Sequence, residues 1–163
     1  YSKNPIFFLK NSIELLDEID MRIHIIGDGK LKMILKTMSK KYYKKIFFHN
    51  FVNDPFKKYN KKMDLICITS RFDGTPNVLG EAMSYKIPCI APKGVGLSNV
   101  LLKNGKYGYL YKAEEDLSFK KKTKKALKNY KTSIKKAEQG YISLNRFSKK
   151  NTLERLRIEL SKI

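Results

Sequence analysis

Apolar and polar positions along this chain follow two alternating rhythms. "NPIFFLKNSIELLDEI" carries apolar residues at helical spacing, with Asn4 placed as an N-cap and Pro5 as the first helical residue. "MRIHIIG" shortens to an apolar strand ending in glycine, and "GKLKMILKTMSKKY" returns to helical spacing. "KIFFHNF" is a strand, and "NDPFKKYNKK" a short helix with a cap-and-proline start at Asp54–Pro55. "MDLICITS" is apolar throughout, the pattern of a strand buried on both faces of a parallel sheet. A loop then feeds a helix over about 76–85, followed by the buried strand "IPCIAP", the short helix "GLSNVLLKN" and the strand "YGYLY". From about 114 onward the pattern is helical, with a break near Gly140 to Phe147.

Strands alternating with helices over short links predict an α/β fold, a Rossmann-like parallel sheet with helices on both faces. Such sheets bind ligands at the carboxyl ends of their strands. No internal repeat or low-complexity linker interrupts the pattern, and residues 1–163 are read as one domain.

Composition narrows the picture. An apolar content of 42% and aromatic content of 12% fit a globular chain. No apolar run approaches the roughly 18 residues of a membrane span, and no cleavable signal peptide is read at the start. Cys67 and Cys89 sit in apolar strand-like runs without metal-ligand spacing, as reduced core thiols of a cytoplasmic protein would. The 35 basic residues against 15 acidic give a formal net charge of +20. Nearly all are Lys, spread along the chain, whereas base readout and bidentate phosphate grip favour Arg; nucleic acid is not expected as a partner. The densest run, "FKKKTKKALKNYK" at 119–131, reads as the solvated face of a helix or as a contact for an anionic membrane surface.

The candidate chemistry lies in "SRFDGTPNVLGEAMS", directly after the buried strand. Gly74 allows close backbone approach to a ligand, and Pro76 sets the helix entry. The N–H groups of about Asn77, Val78 and Leu79, with the positive end of the helix dipole, form an anion site suited to phosphate. Glu81 lies about four residues into the helix, roughly 6 Å along its axis, and Asp73 flanks the other side. A carboxylate accepts two hydrogen bonds from a vicinal diol. Diol, phosphate, diol is the layout of a sugar nucleotide. The bland alternative is that Asp73 caps a turn and Glu81 is an ordinary helix-start acid.

"SRFDGTPNVLGEAMSYKIPCIAPKGVG" resembles the donor-site segment of the retaining GT-B glycosyltransferases of family four (GT4), where two acids eight apart, usually both Glu, surround a Gly-x-Pro loop. Here the first acid is Asp73, one methylene shorter, and the family's usual small glycine before the Pro strand is replaced near Lys86. "IHIIGDGKLKMIL" matches the family's Gly-Asp-Gly strand and helix, with Gly27 near the nucleotide. "IFFHNFVND" matches the loop passing the base, where Phe51 and Val52 would contact it. "YSKNPIFFLKNSIELL" places Lys3 on a lysine that holds the diphosphate, and "NGKYGYLY" matches the stretch before the closing helices.

The resemblance implies the C-terminal, donor-binding half of such an enzyme, with the N-terminal acceptor domain and first strand lying outside this chain. It implies a nucleotide-sugar donor, most simply a UDP-sugar, transferred with retention to a sugar or lipid-linked acceptor in surface polysaccharide or glycan synthesis. Neither a cofactor nor a metal is expected. Asp73 would hold hexose hydroxyls and Glu81 the ribose. Gly74, Thr75, Pro76, Asn77, Val78, Leu79 and Lys3 would surround the leaving diphosphate. The expected location is the cytoplasm, with peripheral contact at the inner membrane face. The rivals are a sugar-nucleotide epimerase or phosphorylase of the same fold, and a basic membrane- or nucleic-acid-binding module. His24 and His49 are expected to pack or to sit at a strand edge, and "GDGK" lacks the third glycine of a dinucleotide fingerprint.

Overall fold

The computed structural model describes residues 2–161; Tyr1, the first residue of the segment resembling the family, lies outside them. The elements run α1 (Pro5–Leu15), β1 (Ile23–Ile26), α2 (Lys32–Ser39), β2 (Ile46–His49), α3 (Pro55–Tyr59), β3 (Ile66–Cys67), α4 (Asn77–Ser84), β4 (Cys89–Lys93), α5 (Ser98–Leu101) and β5 (Tyr109–Lys112). Three helices close the chain: α6 (Asp116–Lys128), α7 (Tyr130–Ser143) and α8 (Lys149–Leu160). Every strand pairing is parallel. The strands form two sheets, β1–β2 and β3–β4–β5. Helix α1 joins them, packing against α2 on one side and α6 on the other.

Alternation along the strands sorts side chains to two faces. Cys89 and Ala91 face one way, into a core with Phe56 of α3, Leu79, Ala82 and Met83 of α4, and Leu101 and Leu102. Ile90, Tyr109 and Tyr111 face the other, into a core with Phe119 and Ala126 of α6 and Phe7 and Phe8 of α1. In the smaller sheet, Ile23, Ile25, Ile46 and Phe48 pack against α1 and α2. The expected helices on both faces are present.

Two starts differ from expectation in detail. Asp54 caps α3, its carboxylate accepting from the Lys57 N–H at 2.9 Å. Asn4 occupies the position before α1 but makes no side-chain cap; it is buried with left-handed backbone, φ 47°. The strand read from "MDLICITS" narrows to Ile66–Cys67. Ile68 N–H still donates to the Ile90 carbonyl at 2.9 Å; beyond it Thr69 is held by its hydroxyl, which donates to the Lys3 carbonyl at 2.9 Å.

The lysine-rich run divides by face. Phe119, Thr123 and Ala126 are buried. Lys120 and Lys124 bridge to Glu14 and Glu18 on α1, and Lys10 of α1 reaches back to Asp116 at 2.7 Å. Part of the basic run therefore ties two helices together, while Lys121, Lys125 and Lys128 face solvent.

On the other face of β1–β2, His24 Nδ1 lies 2.9 Å from His49 Nε2, and the His24 ring stacks on both Phe47 and His49. Burial holds the His24 pKa below its ordinary 6.5, aided by repulsion from His49, Arg22 and Lys62. The unfolded chain therefore takes up this proton first as pH falls, and stability is lost below about pH 6.5. His24→Phe is expected to flatten the loss between pH 7 and 5 in denaturant melts; an unchanged slope contradicts the pairing.

Burial pushes the Cys67 thiol up to about 12, and Cys89 rises further from the same cause. Both are free thiols, unreactive at neutral pH.

Candidate active site

Parallel strands bring their carboxyl ends to one edge of each sheet. Gly27 ends β1 and donates its N–H to the His49 carbonyl at 3.2 Å, and Phe51 and Val52 follow β2. Phe51 is 76% exposed, with no packing role in the core. Asp73 follows β3, Gly94–Gly96 follow β4 and Glu114 follows β5.

The N-terminal residues 2–3 lie along the exit of β3. Arg71 N–H donates to the Ser2 carbonyl at 2.7 Å, and Thr69 takes the carbonyl of Lys3. That strap delivers Lys3 to the site, where its Nζ meets Asp73 Oδ2 at 2.7 Å. The Lys3 side chain is 68% exposed and that of Asp73 only 14%. The carboxylate is largely shielded, and the lysine reaches it from the solvent side.

Asp73 and Gly74 line an open cavity of about 580 Å3, with Arg71, Phe72, Gly94, Val95 and Gly96 as the other walls. Two backbone loops meet here without an intervening side chain: Leu97 N–H donates to the Gly74 carbonyl at 3.1 Å. Asn99 steadies the second loop, its Oδ1 accepting from Gly94 N–H at 2.8 Å.

Helix α4 begins just beyond, with Pro76 buried at its entrance. Among the described residues, the N–H groups of Gly74, Thr75, Asn77 and Val78 have no acceptor in the protein. Leu79 corrects the expectation: it is fully buried, and its N–H donates to the Pro76 carbonyl at 2.8 Å. The tight first turn of α4 satisfies that donor internally, so Leu79 anchors the helix instead of facing a ligand. Glu81 lies one turn along α4 from Asn77, exposed and without an ion-pair partner among the described residues, and it does not line the cavity. The structure thus brings Lys3, Asp73 and Gly74 together, sets the free amides of Asn77 and Val78 with Glu81 on the adjoining helix, and leaves Gly27, Phe51 and Val52 at the edge of the other sheet.

Arg71, Phe72 and the Gly94–Gly96 loop were not read as site residues from the sequence. The available signal was the Gly-Val-Gly that follows the buried strand "IPCIAP", a backbone without side chains at a strand's carboxyl end. Among the described residues no group of His, Cys, Asp and Glu is placed to hold a metal ion, and no helix is long and apolar enough to cross a membrane.

Parallel sheets between helices, with an open cavity at the strand ends, give the architecture of the GT-B glycosyltransferase domains. The profile of the family described as Glycosyl transferases group 1 matches residues 1–129, and the chain belongs to that family. In structure it is similar to the C-terminal domain of a glycosyl transferase group 1 family protein (LpcC) from Francisella tularensis. That match has a TM-score of 0.75 and 24% identity over 88% of this chain and 78% of that one. Anabaena Alr3699/HepE in complex with UDP and glucose superposes with a TM-score of 0.78 at 18% identity, over 99% of this chain and 45% of that one. In sequence it is 30% identical over 97 residues to lipopolysaccharide 1,6-galactosyltransferase of Salmonella typhimurium, 56% of this chain and 27% of that protein. It is 28% identical over 125 residues to a Campylobacter jejuni α-1,4-N-acetyl-D-galactosaminyltransferase that bears an undecaprenol-diphosphate-linked glycan in its name. That match covers 75% of this chain and 34% of the relative, so the chain spans between a quarter and about a third of these two proteins.

Proposed function

We propose that this domain binds a nucleotide-sugar donor, a UDP-sugar, for retaining transfer to a sugar or lipid-linked acceptor in surface polysaccharide synthesis. The observation that carries it is the meeting of a shielded carboxylate, Asp73, an exposed ammonium, Lys3, and four unused backbone donors at one strand exit. The diphosphate sits on the amides of Gly74, Thr75, Asn77 and Val78, where the α4 dipole adds to their field. Lys3 turns from Asp73 to the diphosphate when the donor arrives. Asp73 then accepts from the hexose hydroxyls, and Glu81 from the ribose. Charge that develops on the leaving diphosphate meets preorganised donors, which is electrostatic stabilisation of the departing group. Known structures of this architecture hold UDP, or UDP and glucose, which supports the choice of nucleotide.

Most of the acceptor's contacts come from outside this chain in this reading, so the chain alone binds donor weakly and transfers little or no sugar. Calorimetric titration with UDP-, GDP- and ADP-sugars tests it. UDP-sugars are expected to bind, with affinity reduced about tenfold or more by Asp73→Ala or Glu81→Ala. Salt-sensitive binding to DNA or vesicles, indifferent to both substitutions and without nucleotide binding, would replace this reading with that of a basic module.

The Campylobacter relative's acceptor is lipid-linked by name, and the outward lysines Lys121, Lys125 and Lys128 fit an anionic bilayer. Co-flotation with anionic vesicles, lost in high salt, is expected; no flotation would remove the membrane contact and leave donor binding standing.

A further inference from the structure

Beside the residues assigned to the donor, Arg71 and Phe72 stand on the same cavity wall, each with groups left unpartnered by its structural contacts. Arg71 lines the cavity. Its Nε donates to Glu114 Oε1 at 2.5 Å, and its backbone N–H to Ser2. Its two terminal nitrogens have no acceptor among the described residues. A guanidinium gripped at Nε presents its outer N–H pair in one fixed plane, the geometry that takes a carboxylate or phosphate edge-on. Glu114, the residue that fixes it, has left-handed backbone at φ 57° despite its side chain. Such conformations cost free energy and gather at functional sites. Phe72 is 78% exposed on the same wall, an apolar face suited to a sugar ring.

Gly74 lines the cavity but no residue of α4 does, so Arg71 stands in the part of the site that the helix amides of Asn77 and Val78 do not line. Asp73 shares the wall, paired with Lys3 at 2.7 Å before the donor arrives; with Lys3 turned to the diphosphate and Asp73 taken up by hexose hydroxyls, Arg71 is the cation on this wall left for an acidic substituent. We infer that Arg71, oriented by Glu114 and flanked by Phe72, is a specificity residue for an anionic sugar, taking a carboxylate or phosphate substituent of the sugar beside the reaction centre. The inference rests on the donor-binding reading above and names the class of sugar it serves.

Two calorimetric arms on the whole chain separate the sources of the anion. The first compares UDP-glucuronate with UDP-glucose; the second compares glucose 6-phosphate with glucose on UDP-saturated protein. The acidic ligand of at least one pair is expected to bind about tenfold tighter than its neutral partner. Arg71→Ala should erase that preference, Arg71→Lys retain part of it, and Glu114→Gln weaken it, all with UDP affinity unchanged. A preference in the first arm puts the anion on the transferred sugar, and in the second on the acceptor. No preference in either arm, or one that survives Arg71→Ala, overturns the inference while UDP binding stands. An equal loss of UDP itself in Arg71→Ala also overturns it, making Arg71 a diphosphate ligand. Failure of the unaltered protein to bind UDP removes the donor-binding reading as well.

Discussion

Gly96→Ala is expected to lower the transfer rate of an intact enzyme carrying this domain by about a hundredfold, and to weaken UDP-sugar binding, while leaving the chain folded. A Cβ at position 96 would stand 2.3 Å from the carbonyl oxygens of both Asp73 and Gly74. Both neighbours are backbone, so the loop bearing the site must shift by roughly 1 Å, enough to cost about 10²-fold when reacting groups lose alignment. The shift also breaks the 3.1 Å bond from Leu97 to Gly74. The φ of +51° adds about 1–2 kcal/mol of strain for a residue with a side chain. Gly94→Ala is the control: φ is +80°, but nothing lies within 4 Å of its Cβ position. It should cost stability of similar size and far less binding. Calorimetry and thermal melts on the two variants check this; equal binding losses would show that strain, and not the contact of the two loops, sets the site.

Phe119→Ala is expected to destabilise the domain by about 3–5 kcal/mol. The ring is 0% exposed. It meets Phe7 and Tyr111 edge-on at 5.5 and 5.2 Å and Phe8 at 6.4 Å, where α1, β5 and α6 converge. With total stabilities of about 5–15 kcal/mol typical of a domain, the variant would be close to unfolding. Phe8 belongs to this core and to that of the small sheet, so the loosening reaches both sheets. Urea denaturation measures it, and Phe119→Leu should recover a large part. A loss under about 1 kcal/mol would mean that the ring's cavity closes on its neighbours.

The alternation of apolar runs made the element order legible, because each strand's period of two and each helix's stripe is imposed by the layer it packs against. The sheet's division was not legible: nothing in "MDLICITS" marks that only Ile66–Cys67 would be laddered. Buried Thr69 and Ser70 look like strand residues by composition, yet Thr69 hydrogen-bonds across to Lys3. Asn4–Pro5 carried a helix-start signal correct in place and wrong in mechanism, since local sequence does not reveal a buried left-handed turn. The place of Asp73 after a strand and the unpaired amides of Asn77 and Val78 followed from local chain pattern, whereas the first-turn bond of Leu79 to Pro76 did not. Arg71 and Gly96 depend on contacts with Glu114 and with the Asp73–Gly74 loop, 43 residues away in the first case, and spacing within one segment cannot show them.

In the proposed function the turn from Gly74 to Val78 receives a nucleotide's diphosphate. Amide-resolved NMR during titration with UDP reads this directly. The N–H signals of Gly74, Thr75, Asn77 and Val78 should shift together and saturably, ahead of the internally bonded Leu79. UDP binding that leaves those four unmoved, or shifts confined to the lysines of α6, would contradict it.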